Sequence, residues 1–162
     1  MDPSKIVLKP TLITAIVADF GAQAVVNYFI RQHFQQDSVL GEEDALELRQ
    51  SPDMQQRILE HVNAVLPSPI STTDLLSLID FGNGSGGKQG RFWTVDPIDG
   101  TKGFLRGEQF AVCLALIQDG QVQVGVLGCP NLEHHRFGSS DTQGRGYVFA
   151  AVRGQGAFRV CA

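Results

Sequence analysis

The fold is decided around residues 93–103, WTVDPIDGTKG, which lie between two apolar stretches. Arg91 to Val95 is a strand candidate, and Phe110 to Ile117 is an apolar run that predicts a fully buried strand. Pro97 fixes its own φ angle and keeps the preceding residue, Asp96, out of helical geometry. The segment therefore predicts a proline-stiffened turn between two strands.

This turn carries two carboxylates, Asp96 and Asp99, that can converge on one point. Gly100 permits a sharp bend, so the backbone N–H groups of Gly100 and Thr101 can face the same point. Carboxylates beside N–H donors describe a site for a hard cation and the phosphate that it binds. The alternative is a surface loop that happens to hold two acids. The bare D-x-x-D motif is common, but the full DPIDGTKG string between two strands is far more specific.

Helical patterns precede this segment. From Val17 to Phe34, apolar residues recur at three- and four-residue steps, which predicts an amphipathic helix. A second helix is predicted to begin at Ser51-Pro52-Asp53, which supplies a cap, a first-turn proline and an acid, and to end near Leu66. A third is predicted from Ser71 to Gly82, with Asp74 closing a capping box.

Extended patterns follow the segment. Asp119-Gly120 indicates a hairpin turn, and residues 121–126 alternate on its return strand. A second hairpin is predicted over Tyr147 to Val160, turning at residues 153–156. Because helices come first and mostly antiparallel strands follow, we expect an α+β fold with helices packed on a largely antiparallel sheet.

A second group of acids follows the apolar pair Val39-Leu40 and a glycine: Glu42, Glu43 and Asp44. The alternative for this group is the first turn of a helix, where acids favour the macrodipole without any ligand. Asp19 is a further carboxylate in the opening turn of the first predicted helix. Its alternative role is again that of a cap or dipole partner.

Length and charge exclude several function classes. The chain has 162 residues, which fits one domain or a piece of a larger protein. Its 13 Lys and Arg against 17 Asp and Glu give a net charge of −4 with no basic stripe. Such a chain is a poor candidate for binding nucleic acid or a membrane surface. No stretch approaches 18 uninterrupted apolar residues, so we expect no transmembrane helix.

The start of the chain and its cysteines indicate the compartment. Residues 1–5, MDPSK, lack the basic start and apolar stretch of a signal peptide. The three cysteines are an odd number without metal-type spacing. We therefore expect a cytoplasmic protein, with a nuclear one as the alternative. His134-His135 is expected in a solvated loop rather than at a metal.

Four strings together carry a family resemblance: GRFWTVDPIDGTKGFLRGEQFAV at 90–112, GCPNL at 128–132, LGEE at 40–43 and ADFGAQ at 18–23. They resemble the 3′(2′),5′-bisphosphate nucleotidases, which are lithium-sensitive, magnesium-dependent phosphatases related to inositol monophosphatase. The resemblance covers roughly Val17 to Val160. The continuation KGFLR favours the nucleotidase branch over plain inositol monophosphatases.

The resemblance implies roles for particular residues. The implied Mg²⁺ ligands are Glu42, Asp96, the backbone carbonyl of Ile98, and Asp99. Thr101 matches the residue that helps to activate the attacking water, and Asp19 matches its acidic partner. The amides of Gly100 and Thr101 match the phosphate cradle. Glu43, beside the ligand position, ranks below Glu42.

The resemblance also has limits. Residues 1–16 differ from the family pattern, with Ile16 where threonine is usual, so we divide the chain into a divergent segment, 1–16, and a phosphatase N-terminal domain, 17–162. The family continues into a second α/β domain, layered α/β/α/β overall, whose W-D-x-A-G motif supplies another metal ligand. Two or more Mg²⁺ ions bind in the full-length family, and the second site is expected to be incomplete here.

The resemblance implies hydrolysis of adenosine 3′,5′-bisphosphate to AMP and phosphate, or of the related sulfated nucleotide, in sulfur assimilation. The expected partner is thus a small phosphorylated nucleotide. One alternative is an inositol-polyphosphate 1-phosphatase-like activity. Another is an inactive fragment that only binds metal or a partner, and that self-associates through the surface left by the missing domain.

Overall fold

The computed structural model describes residues 10–138 and 143–161. Its α-helices are α1 (Pro10–His33), α2 (Pro52–Asn63), α3 (Thr72–Asp80) and α4 (Thr101–Leu105). Its strands are β1 (Ser38–Leu40), β2 (Arg91–Asp99), β3 (Ala111–Gln118), β4 (Gln121–Glu133), β5 (Arg145–Val152) and β6 (Gly156–Cys161). Short 3₁₀ turns occur at Leu48–Gln50 and His134–Phe137.

The strands form one six-stranded sheet in the order β1-β2-β3-β4-β5-β6. The β1–β2 pair is parallel, and every other pair is antiparallel. This confirms the predicted α+β class with a largely antiparallel sheet. The parallel pair matters for the site, because the carboxyl ends of β1 and β2 meet at the same edge of the sheet.

Helix α1 lies between the sheet and the other helices. One buried cluster fills the space between α1, α2 and α3 and includes Ala24, Ile58 and Leu75. A second cluster, which includes Ile30 and Trp93, lies between α1 and the sheet. By length and composition, the Ile13–His33 part of α1 could cross a membrane. Its contacts on both sides are those of the core helix of a layered fold.

The predicted helices are present, with shifted ends. Helix α3 has the expected capping box between Ser71 and Asp74, and α2 begins with its proline in the first turn. In the described residues, helix α1 runs from Pro10 rather than from Val17. The residues before Val17 are apolar and β-branched without a polar face, so their periodicity does not identify a helix. The predicted boundary at residue 16 thus lies inside α1, and residues 1–9 lie outside the described residues.

Two expectations about the strands were wrong. Residues 96–99 are not a turn between strands, because β2 continues through Pro97 to Asp99 with an irregular register against β3. A proline is tolerated inside a sheet at such a bulge, where the ladder is already interrupted. Strand β3 is mostly half-buried rather than fully buried, and Leu116 is its one buried residue. Helix α1 covers the β1–β2 side of the sheet and only part of β3.

Both predicted hairpins are confirmed. Asp119 and Gly120 join β3 to β4 with positive φ angles of 50° and 73°, the backbone that matches the twist of adjoining strands. Residues 153–155 turn β5 into β6. Strand β4 is longer than predicted and continues to Glu133.

Candidate metal and phosphate site

The carboxyl end of β2 supplies two of the predicted site residues. Asp96 pairs with Cys113 of β3, and the bulge that follows it carries the chain past buried Pro97 and Ile98 to exposed Asp99. The bulge changes how successive side chains are directed along the strand. Asp96 and Asp99 are thereby held by a strand whose apolar residues are anchored in the core.

The bend that the sequence predicts at Gly100 is present after β2. Gly100 has a φ angle of 91°, a left-handed conformation that strongly favours glycine, and it caps the N-terminus of the short helix α4. The hydroxyl of Thr101, the first residue of α4, donates a hydrogen bond to the carbonyl oxygen of Ile98 at 3.3 Å. The residue expected to activate water and the carbonyl expected to bind metal are therefore in direct contact.

The end of β1 brings a third carboxylate to the same place. In the parallel register, Leu40 lies opposite Thr94, so Glu42 comes level with Asp96 two residues further along. The pKa of Glu42 is raised by partial burial, by repulsion from Asp96, by contact with that side chain and by repulsion from Asp99. The structure thus brings together Glu42, Asp96 and Asp99, as the resemblance implied.

Helix α1 contributes a fourth carboxylate, Asp19. Partial burial and repulsion from Glu42 and Asp96 raise the pKa of Asp19 to about 6. Partial burial and repulsion from Asp19, Glu42 and other acids raise the pKa of Glu43 to about 7. No lysine or arginine is among the causes of these shifts. We call Asp19, Glu42, Glu43, Asp96 and Asp99 the acidic cluster.

The acidic cluster fits a hard cation. One carboxyl oxygen of Asp96, Oδ1, is buried and has no hydrogen-bond partner, which leaves a buried acceptor unsatisfied. All side chains of the cluster offer oxygen, as Mg²⁺ prefers, and Mg²⁺ keeps several waters rather than needing a closed protein cage. Among residues 10–138 and 143–161, no three His, Cys, Asp or Glu side chains are arranged as a ready metal shell.

One predicted pairing differs in detail. The hydroxyl of Thr101 donates to the carbonyl of Ile98 and not to the carboxylate of Asp19, although α1 and α4 are in contact. A threonine has a single O–H donor, so this hydroxyl cannot donate to Ile98 and to Asp19 at the same time.

The expectation of a solvated histidine pair was wrong for one member. His134 is buried, its Nε2 lies 2.9 Å from the carbonyl oxygen of Gly146, and its ring stacks edge-on against Tyr147. His135 is exposed and lies 3.6 Å from Glu133. His134 is therefore part of the packing between β4 and β5, which a sequence of two adjacent histidines does not indicate.

Sequence reasoning assigned no role to Gln23, which is completely buried on α1 and contacts the backbone of Glu43. The available signal was its spacing, four residues after Asp19 on the same helix. That spacing places both side chains on one face.

Residues 12–160 match the model of the inositol monophosphatase family. Since the match covers most of the sequence, the chain belongs to this family. The family is generally metal-dependent, which agrees with the open oxygen-rich cluster described above.

Curated relatives carry a more specific name. The chain is 42% identical over 153 residues to 3′(2′),5′-bisphosphate nucleotidase 2 of Candida albicans, covering 88% of this chain and 43% of the relative. It is 41% identical over 152 residues to 3′(2′),5′-bisphosphate nucleotidase of Schizosaccharomyces pombe, with the same coverage. It is 42% identical over 158 residues to 3′(2′),5′-bisphosphate nucleotidase 1 of Arabidopsis thaliana, covering 88% and 45%. The chain therefore spans less than half the length of these relatives.

Among solved structures, the chain is similar to SaIMPase-II with bound 2′AMP, at 20% identity and a TM-score of 0.48, covering 87% of this chain and 36% of the other.

Proposed function

We propose that this chain forms the Mg²⁺- and phosphate-binding part of a phosphomonoesterase that removes the 3′-phosphate of adenosine 3′,5′-bisphosphate, yielding AMP and phosphate. The observation that carries the proposal is the convergence of Glu42, Asp96 and Asp99 beside the Gly100–Thr101 turn. Relatives that share this region are named for hydrolysis of such nucleotides.

Residues of the acidic cluster would hold Mg²⁺ through Glu42, Asp96, Asp99 and the carbonyl of Ile98. Mg²⁺ bound there would lower the pKa of a coordinated water and stabilise charge on the leaving oxygen. Phosphate monoesters hydrolyse extremely slowly without a catalyst, so positioning and electrostatic stabilisation must supply most of the rate increase. The cluster alone repels a phosphate, and bound cations would convert that repulsion into attraction.

The remaining groups would orient the phosphate and move a proton. The amides of Gly100 and Thr101 would donate hydrogen bonds to phosphate oxygens, with φ at Gly100 setting their direction. The Thr101 hydroxyl would accept the proton of the attacking water while donating its own to Asp19. A pKa of about 6 makes the carboxylate of Asp19 a better base near neutral pH than an ordinary aspartate.

Phosphate release from adenosine 3′,5′-bisphosphate, measured with Mg²⁺ and then with added lithium, tests the proposal. We expect lithium-sensitive release that Asp99→Asn abolishes, with Asp53→Asn on the surface of α2 as the charge-matched control. Inositol 1,4-bisphosphate in the same assay tests the inositol-phosphatase alternative. A folded sample that binds Mg²⁺ but releases no phosphate from either substrate would overturn the proposal that this chain is an active phosphomonoesterase.

A second candidate, a metal-binding chain that self-associates, is favoured by the β4–β6 half of the sheet. Exposed apolar side chains on one face there include Val148, Phe158 and Val160, at 37%, 59% and 57% exposure. Apolar patches of this kind mark surfaces that associate. Light scattering across a concentration series tests it, and a constant monomeric mass would reject it.

A further inference from the structure

Gln23 is one of three buried polar or charged residues in the described part of the chain, and its exposed fraction is 0%. Its Nε2 donates to the carbonyl oxygen of Glu43 at 2.6 Å and to that of Ile79 at 3.2 Å. Its Oε1 accepts from the backbone N–H of Glu43 at 2.9 Å. One side chain thus binds both backbone groups of Glu43 and ties them to the end of α3.

The surrounding glycines leave room for this amide. A Cβ atom at Gly41 would lie 2.5 Å from Oε1 of Gln23, and one at Gly82 would lie 2.7 Å from its Nε2. The N–H of Gly41 also donates to the carbonyl of Gly82 at 2.7 Å. The backbone at Gly41 and Gly82 therefore lies too close to the Gln23 amide for any residue with a Cβ atom. This explains why a glycine, Gly41, precedes the two glutamates.

The geometry gives this contact a role in the site. Gln23 lies one helical turn after Asp19, so the same face of α1 carries a member of the acidic cluster and the amide that holds Glu43. Segment 41–47 has neither strand nor helix structure, and its carboxylates are repelled by Asp19 and Asp96. The partly buried double hydrogen bond between Gln23 and the backbone of Glu43 opposes the outward movement that this repulsion favours.

We propose that Gln23 is a positioning residue that holds Glu42 and Glu43 against Asp19 and Asp96 in the geometry needed to bind Mg²⁺. This inference rests on the proposed function, since it requires the acidic cluster to be a metal site. The Gln23 amide is occupied by backbone partners, so it would act through the backbone of the segment that carries Glu42 and not as a metal ligand.

Asn27 supplies a matched control. It lies one further turn along α1, has the same 0% exposure, and donates through Nδ2 to the carbonyl oxygen of Leu78 at 2.8 Å. Both residues therefore tie α1 to α3, but only Gln23 contacts the acidic segment. Gln23→Met and Asn27→Leu each remove a buried amide while keeping the side chain's approximate volume.

The experiment is calorimetric titration of the 162-residue chain with Mg²⁺ alone, at a temperature where circular dichroism shows each variant to be folded. We expect Asn27→Leu to bind within twofold of the wild type and Gln23→Met to bind at least tenfold more weakly. Hydrogen exchange should show the amide of Glu43 losing its protection in Gln23→Met but keeping it in Asn27→Leu.

Equal Mg²⁺ affinity in Gln23→Met and the wild type would overturn the inference, as would equal weakening in both variants. If Gln23→Met does not fold, Gln23→Asn keeps an amide but is one methylene shorter, and wild-type affinity in that variant would also overturn it. A wild-type chain that binds no Mg²⁺ would instead overturn the proposed function.

Discussion

Replacing Asp19 by asparagine should make the metal-free protein more stable at neutral pH. Burial and repulsion from Glu42 and Asp96 raise the pKa of Asp19 from its ordinary value of 3.8 to about 6. At 1.36 kcal/mol per pKa unit, the cost of ionising this group in the folded protein is about 3 kcal/mol. Asparagine has nearly the same shape and carries no charge.

The sign follows from proton binding. The folded protein holds a proton on Asp19 up to about pH 6, whereas the unfolded chain releases it near pH 3.8. Stability from this group is therefore greatest below pH 3.8 and is lost as the pH rises to about 6. Because asparagine is also partly desolvated, we expect Asp19→Asn to gain about 1–3 kcal/mol at pH 7.5, and a smaller gain at pH 5.

Urea unfolding in EDTA at pH 5 and pH 7.5 measures this difference. Glu60→Gln, an exposed change on α2, makes the same change in net charge and should shift stability little. Mg²⁺ should stabilise the wild type more than Asp19→Asn, because bound cations offset the repulsion in the cluster. If Asp19→Asn is no more stable than the wild type at pH 7.5 in EDTA, the cost of ionising Asp19 inferred from its burial and from repulsion does not exist.

Three other substitutions test the helical core, the position of α4 and the Arg49–Asp80 ion pair. Leu75→Ala, at a position with 0% exposure, should cost about 2–5 kcal/mol in urea unfolding by leaving a cavity. Gly103→Ala would bring a Cβ atom into steric overlap with the carbonyl oxygen of Gln109, so displacement of α4 should appear as changed amide chemical shifts around residues 100–109. Asp80 accepts a hydrogen bond from Arg49, which lowers its pKa, so Asp80→Asn should lose stability at pH 7. That loss should shrink as the pH falls below 3.8, which a pH series of thermal melts would show.

Most of the fold could be predicted because local chemistry specifies it. The capping box of α3 and the Asp119-Gly120 hairpin depend on residues a few positions apart. The start of α1 could not be predicted, because residues 10–16 are mostly apolar and β-branched and have no polar face to mark a helical period. The continuation of β2 through Pro97 was also not predicted. Proline usually ends a strand, and only the register of β2 against β3 shows the bulge that accommodates it.

Some residues of the site could be predicted from local sequence and others could not. Asp96, Asp99 and Gly100 are close in sequence, and the DPIDGTKG motif that contains them indicates a cation and phosphate site. Glu42 and Asp19 could be placed only through the family resemblance, because the parallel pairing of β1 with β2 joins segments separated by two helices. Gln23 was missed because its partners are backbone atoms, and no residue type in the sequence marks a carbonyl that needs a donor.

The parallel β1–β2 pair also bears on the order of folding. The β3–β4 and β5–β6 hairpins close over two or three residues, whereas residues 38–40 reach residues 92–94 only after α2 and α3 have been accommodated between them. Loop closure of that length is slow compared with a hairpin. The acidic cluster should thus assemble in the last stage of refolding. Cation binding would then begin only once folding is complete. A stopped-flow refolding experiment in which Mg²⁺ alters only the slowest phase would show this order.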